Sequence, residues 1–173
     1  MGRDKATIGD PPWAHRVADT LQRAGCDPGV LLGEPPVGRT DLDRLRAGGW
    51  DLVGDHRAGA GPATALADYL PLSRADPGPG RACGLVFAAC DLPGLEPADV
   101  QQLVAAVTAS GGSAAHNLRG RAQLSLVALD REEVGRIAGH RVPEGLSLTD
   151  LVGRPLLVEP IDSATVEDVD EPR

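Results

Sequence analysis

Apolar residues first recur at helical spacing between Trp13 and Ala24, where Ala14, Val17, Leu21 and Ala24 share one face. Pro11-Pro12 stand before this run and Gly25 after it, so the pattern predicts a helix with a proline entry and a glycine stop. Val30-Leu31-Leu32, between glycines, reads as a short buried strand of the parallel kind. Trp50 to Asp55 is a second strand, followed by a turn over His56 to Gly61. Pro62 then opens a helix through Ala63, Leu66, Ala67 and Leu70. Pro71 to Arg81, with Pro77-Gly78-Pro79-Gly80 at its centre, breaks the pattern as a surface loop. Leu85 to Ala89 is apolar at every position and is expected to be a central strand; it runs into Cys90-Asp91-Leu92-Pro93.

The second half begins with a helix from Pro97 to Ala109, whose inner face is Val100, Leu103, Val104 and Val107, stopped by Gly111-Gly112. Strands are then expected at Ser113 to Asn117 and Gln123 to Leu129, joined by a polar turn from Leu118 to Arg121. A helix from Asp130 to Gly139, a shorter one around Leu148 to Val152, and final strands at Leu156-Leu157-Val158 and Ala164-Thr165-Val166 complete the chain. This alternation predicts one three-layer α/β domain over residues 1–173 with a mostly parallel sheet. The sequence holds no internal repeat.

Composition narrows the picture. Aromatic residues make up only 2% of the 173, so the core must be built from Ala, Val and Leu. A net charge of −8 lacks the basic footprint of a nucleic-acid binder, yet leaves room for a nucleotide held by a few local cations and a metal. The segment Glu159 to Arg173 carries six carboxylates and one cation, which reads as a solvated terminus or as something more specific. Cys26, Cys83 and Cys90 form no CxxC pair, which argues against a zinc site or a disulfide framework. His15, His56, His116 and His140 are scattered and are expected on the surface or in loops. With no membrane-length apolar run and no signal-peptide pattern at the start, the expectation is a cytoplasmic protein.

Ligands of open α/β sheets bind beyond the carboxyl ends of the strands, and Asp55 and Asp91 stand at two such ends. Asp91 could hold Mg²⁺, an ion that takes a few carboxylates together with phosphate oxygens and water, or it could simply cap the turn before Leu92-Pro93. Gly59-Ala60-Gly61-Pro62 is either a plain connector or a turn whose N–H groups meet an anion or a polar ring. Lys5 is either a solvated lysine or a phosphate-neutralising one.

Taken in order, these segments resemble the molybdenum cofactor guanylyltransferases and their MobA-like NTP transferase relatives. Met1-Gly2-Arg3-Asp4-Lys5-Ala6 is similar to the end of that family's signature loop, and Pro12 to Leu21 to the helix after it. Asp55 with Gly61-Pro62 resembles its Asp…Gly-Pro-Leu-Ala-Gly segment, and Ala89 to Pro93 its Cys-Asp-x-Pro motif. Glu167 to Pro172 resembles its terminal Asn-Val-Asn/Asp-Thr-Pro segment.

The resemblance implies a Rossmann-like sheet of the nucleotide-diphospho-sugar transferase type and Mg²⁺-dependent transfer of GMP from GTP to molybdopterin. It assigns Lys5 to the GTP phosphates, Asp55 to the guanine edge, Gly61 to close approach of the base, and Asp91 and Asp170 to the metal. The chain departs from the family pattern in four places. Met1 falls inside the signature loop, so the family's first strand and phosphate-cradling glycines are expected to be missing. Gly33 replaces a base-contacting asparagine, the later glycine of the Gly-Pro segment is absent, and Arg173 precedes the usual closing helix. These departures leave open a related transferase using CTP or another acceptor. They equally leave an inactive nucleotide-binding or regulatory domain, or a fragment whose open sheet edge a protein partner covers.

Overall fold

A computed structural model describes residues 8–27, 29–33, 39–54, 57, 60–70, 84–138, 143 and 145–167, with side chains from residue 43 onward in the third of these stretches. The elements are α1 (Trp13–Arg23), β1 (Gly29–Leu32), α2 (Arg39–Ala47), β2 (Trp50–Val53), α3 (Pro62–Tyr69), β3 (Gly84–Ala88), α4 (Pro97–Ser110), β4 (Ser113–Leu118), β5 (Arg121–Asp130), α5 (Arg131–Ala138), α6 (Leu148–Val152) and β6 (Leu156–Val158). The α/β class expected from the sequence holds. The strands form a parallel pair, β1–β2, and a four-stranded sheet in the order β3-β5-β4-β6. In the larger sheet β4 and β6 are parallel, whereas β5 runs antiparallel to both β3 and β4. The antiparallel β4–β5 pair is the hairpin the sequence predicted. Its tip is Arg119-Gly120, both at positive φ (53° and 79°), which suits the twist of a two-residue turn.

Helices cover both faces. Val17, Ala18 and Leu21 of α1 and Val100, Leu103 and Val107 of α4 pack with Ala114, Leu126 and Ala128 on one face. Ala63, Leu66 and Ala67 of α3, Ile137 of α5, and Leu151 and Val152 of α6 pack with Ala115, Val127 and Leu129 on the other. Strand alternation separates the two sets, since Ala114 and Ala115, like Val127 and Ala128, point to opposite faces. The register slips between Ala115, paired with Val127, and His116, paired with Gln123. This irregularity interrupts the alternation, so Leu124 belongs to the same face as Val127.

Several expectations give way. The strand expected at Ala164–Val166 is a turn, because the Asp162 carboxylate accepts from Ala164 N at 2.9 Å and the Asp162 carbonyl accepts from the Thr165 hydroxyl at 2.8 Å. Such local bonds compete with extended backbone. Strand β3, expected at the centre, pairs only with β5 among the described residues and is half-buried along most of its length. His116 is fully buried in β4 rather than lying on the surface. Its Nε2 lies 3.2 Å from the Asp99 carbonyl, an acceptor, so Nε2 carries the proton and donates. His15 is half-buried in α1, and His56 and His140 lie outside the described residues. Helix α2 was not anticipated, because a run so rich in charge has only Leu42, Leu45 and Ala47 as apolar positions. Leu45, in its last turn, is buried.

Asp130 joins three elements. Its carboxylate accepts from Gly112 N at 2.6 Å, after α4, and from Glu133 N at 2.8 Å, in the first turn of α5. These bonds, that to Glu133 first, hold its pKa below the usual carboxylate value. A depressed pKa stabilises the fold above the unfolded-state value and loses that contribution as pH falls through the folded-state value. Asp130→Asn is therefore expected to lower the melting temperature at neutral pH, and the gap should close on acidification below pH 4. Thermal melts across pH check this, and a gap constant with pH would rule out the carboxylate's charge as its source.

Candidate active site

Because β3 and β4 are both antiparallel to β5, and β6 is parallel to β4, the carboxyl ends of β3, β4 and β6 lie at one end of the larger sheet. Asp91 follows β3 in a turn at this end and is half-buried. Leu92 and Leu95, 0% and 6% exposed, pin the turn into the core, and the Thr20 hydroxyl of α1 donates to the Leu95 carbonyl at 3.1 Å. A second turn packs on the first. A Cβ at Gly94 would lie 3.5 Å from the Ala164 carbonyl oxygen and 3.6 Å from Thr165 Cα. Val166, fully buried with Leu92 and Leu95, anchors that second turn. The chain leading to Asp170 thus leaves from beside the Asp91 turn; Asp170 itself lies outside the described residues, as do Lys5 and Asp55.

Gly61 occupies the carboxyl-end connection of the other sheet, between β2 and α3. It is exposed, with φ +89°, a conformation that favours glycine, and a Cβ there would meet nothing within 4 Å among the described residues. Its carbonyl accepts from Ala65 N at 3.1 Å, starting α3. Gly33, where the family's asparagine was expected, directly follows β1 with φ +128° and donates its N–H to the Val53 carbonyl at 3.1 Å. Cys26 is a free thiol, and both it and Cys90, beside Asp91, are half-buried. Burial pushes the Cys26 thiol up, away from the reactive thiolate. Cys83 lies outside the described residues.

One part of this end of the sheet was not read from the sequence. A cavity of about 500 Å³ opens at the ends of β4 and β6, lined among others by Asn117, Arg119, Glu159, Asp162, Ser163 and Glu167. The Asn117 amide donates to the Glu159 carboxylate at 2.6 Å, Gln102 of α4 donates to the Glu159 carbonyl at 2.9 Å, and Arg119 pairs with Glu167 at 2.9 Å. The acid-rich run from Glu159 onward was the visible signal. Its residues Glu159 to Ser163 and Glu167 line this cavity.

Among the described residues no three His, Cys, Asp or Glu side chains converge on a metal position. That is compatible with magnesium, which takes one or two carboxylates and completes its shell with phosphate and water. No described helix is long and apolar enough to cross a membrane.

No curated protein matches the chain. A family model described as the MobA-like NTP transferase domain matches residues 1–160. The ordered motifs, the α/β fold and this match over most of the length agree, and the chain belongs to the MobA-like NTP transferase domain family, a family of nucleotidyltransferases.

Proposed function

We propose that the protein transfers a nucleotide, GMP from GTP, to the phosphate of a molybdopterin-type acceptor. An acceptor phosphate oxygen forms a bond to the α-phosphorus, the bond from that phosphorus to the bridging oxygen of the β-phosphate breaks, and pyrophosphate leaves. Such transfers ask little covalent chemistry of the protein and depend on positioning and charge neutralisation. The observation that carries this reading is the packing of the Asp91 turn against the turn leading to Asp170, at the end of the sheet where ligands of this fold class bind.

In this reading Asp91 and Asp170 hold Mg²⁺, which would supply positive charge to the triphosphate. Lys5 neutralises phosphate oxygens, Asp55 accepts hydrogen bonds from the N–H edge of guanine, and Gly61 lets the base approach the backbone.

The test is calorimetric titration of the full chain with Mg·GTP, with Mg·CTP and Mg·ATP as controls. Asp55→Ala is expected to weaken GTP by about 10- to 100-fold, the worth of a charge-assisted pair of hydrogen bonds, and ATP far less. Equal losses for both would remove Asp55 from base reading.

A second reading is favoured by the strand ladder. Among the described residues β1 pairs only with β2 and β3 only with β5, and an unpaired edge is a template for another strand. In this reading the domain is catalytically inactive and a protein partner covers an edge. A folded sample that binds none of the three nucleotides would favour it.

A further inference from the structure

The cavity at the ends of β4 and β6 and the Asp91 turn share one stretch of chain. In the turn at 162–167, Ala164 and Thr165 pack against Gly94, while Asp162, Ser163 and Glu167 line the cavity. At about 500 Å³ the cavity falls within the range of small-molecule sites, about 300–1,000 Å³. Pro160 and Ile161 give it apolar surface, and Ile161 is 68% exposed. Among the described residues its charges are three carboxylates, those of Glu159, Asp162 and Glu167, against the guanidinium of Arg119, which is already paired with Glu167. These acids do not converge on a metal position. A polyanion such as a triphosphate would be repelled here, whereas a ring with an apolar face and N–H donors along its edge would be matched. Glu159 is fixed from two elements: the Asn117 amide of β4 donates to its carboxylate at 2.6 Å, and Gln102 of α4 donates to its carbonyl at 2.9 Å. The oxygens of both amides are buried without a hydrogen-bond partner among the described residues. Holding the amides in this way costs stability, and a glutamate left to solvent would not require it. A carboxylate offers about four lone-pair sites, so one amide donor leaves most of that capacity to a ligand.

We propose that this cavity is the acceptor subsite and takes the 2-amino-4-oxo edge of a pterin ring. The Glu159 carboxylate accepts from the ring's amino group and the neighbouring ring N–H, a pair of donors that one carboxylate can meet at once, and Pro160 and Ile161 lie against the ring face. This rests on the nucleotidyl-transfer reading above and deepens it, since that reading leaves the acceptor's place open. The acidic lining also sets a direction. The ring enters the cavity, and the acceptor's phosphate stays outside it, at the end of the sheet where Asp91 stands.

The experiment is equilibrium dialysis of the full chain against pterin and against lumazine, the same ring with a carbonyl in place of the amino group, each followed by its own fluorescence. Calorimetry with Mg·GTP runs beside it. The unmodified protein is compared with Glu159→Gln and with Ser163→Trp, which fills the cavity from an exposed position. Pterin is expected to bind about 10-fold or more tightly than lumazine. Each variant is expected to weaken pterin by about 10-fold or more while leaving Mg·GTP within about twofold. A protein that binds Mg·GTP but no pterin overturns the proposal and leaves the nucleotide reading standing. So does lumazine bound as tightly as pterin, or a pterin affinity unchanged in either folded variant. A loss of Mg·GTP affinity that matches the loss of pterin also overturns it, because the cavity would then belong to the nucleotide. Pterin bound with the expected pattern by a protein that binds no nucleotide supports the pterin site and overturns the transfer reading.

Discussion

Asp91→Asn is expected to lower magnesium-dependent nucleotidyl transfer by about 100-fold or more while leaving the fold intact. The substitution keeps the size and shape of the side chain and removes its charge. It is aimed at a half-buried position at the end of β3, beside the turn that leads toward Asp170. The packing that shapes the turn belongs to Leu92, Leu95 and Thr20, all unaltered, so far-UV circular dichroism and the melting temperature should stay close to those of the parent. The decisive comparison is a magnesium titration of turnover. Loss of rate with a raised magnesium requirement supports a metal-holding carboxylate. Full activity at ordinary magnesium would reduce Asp91 to a turn-capping residue, the other role its sequence context allows.

The largest effect on stability is expected at Leu126. It is fully buried in β5, the one strand of the larger sheet that pairs with both β3 and β4, and it belongs to the core shared with α1 and α4. Truncating such a leucine removes transfer free energy and leaves a cavity, at a cost of about 2–5 kcal/mol. For a domain of this size Leu126→Ala should therefore lower the melting temperature by roughly 5–15 °C. Thermal unfolding checks it. A change of a degree or two would mean that this core relaxes around the void, or that the slip beside Ala115 and His116 absorbs it.

Much of the fold was legible because its helices and strands announce themselves locally. Helix α4 has buried residues at 100, 103 and 107, and the hairpin has Arg119-Gly120 between two apolar runs. Val104 was expected on the inner face yet is 37% exposed, since the buried stripe of α4 is narrower than its run of valines. What stayed hidden depends on distant partners. Nothing local to His116 says that β4 will be covered on both faces, and nothing local to Leu85–Ala89 says which strands will lie beside it. The turn at 164–166 was hidden for the opposite reason: Asp162 offers a side-chain bond that outweighs the β-propensity of Thr165 and Val166. At the candidate site, Asp91 and Gly61 were readable as strand-end and helix-start residues. The cavity wall around Asn117 and Glu159 was not, because it joins residues 42 positions apart.

The two sheets share a core but, among the described residues, no strand pairing joins them. Their coupling runs through side chains, chiefly those of α1 and the indole of Trp50. Trp50 is 7% exposed, and it sits so close to Gly29 that a Cβ there would lie 2.6 Å from the ring. In a Trp13→Phe background its fluorescence is a reporter of the smaller sheet, while far-UV circular dichroism is weighted toward the rest of the chain. Coincidence of those two signals on heating is thus a direct reading of whether packing without a common ladder is enough to make the molecule melt as one body.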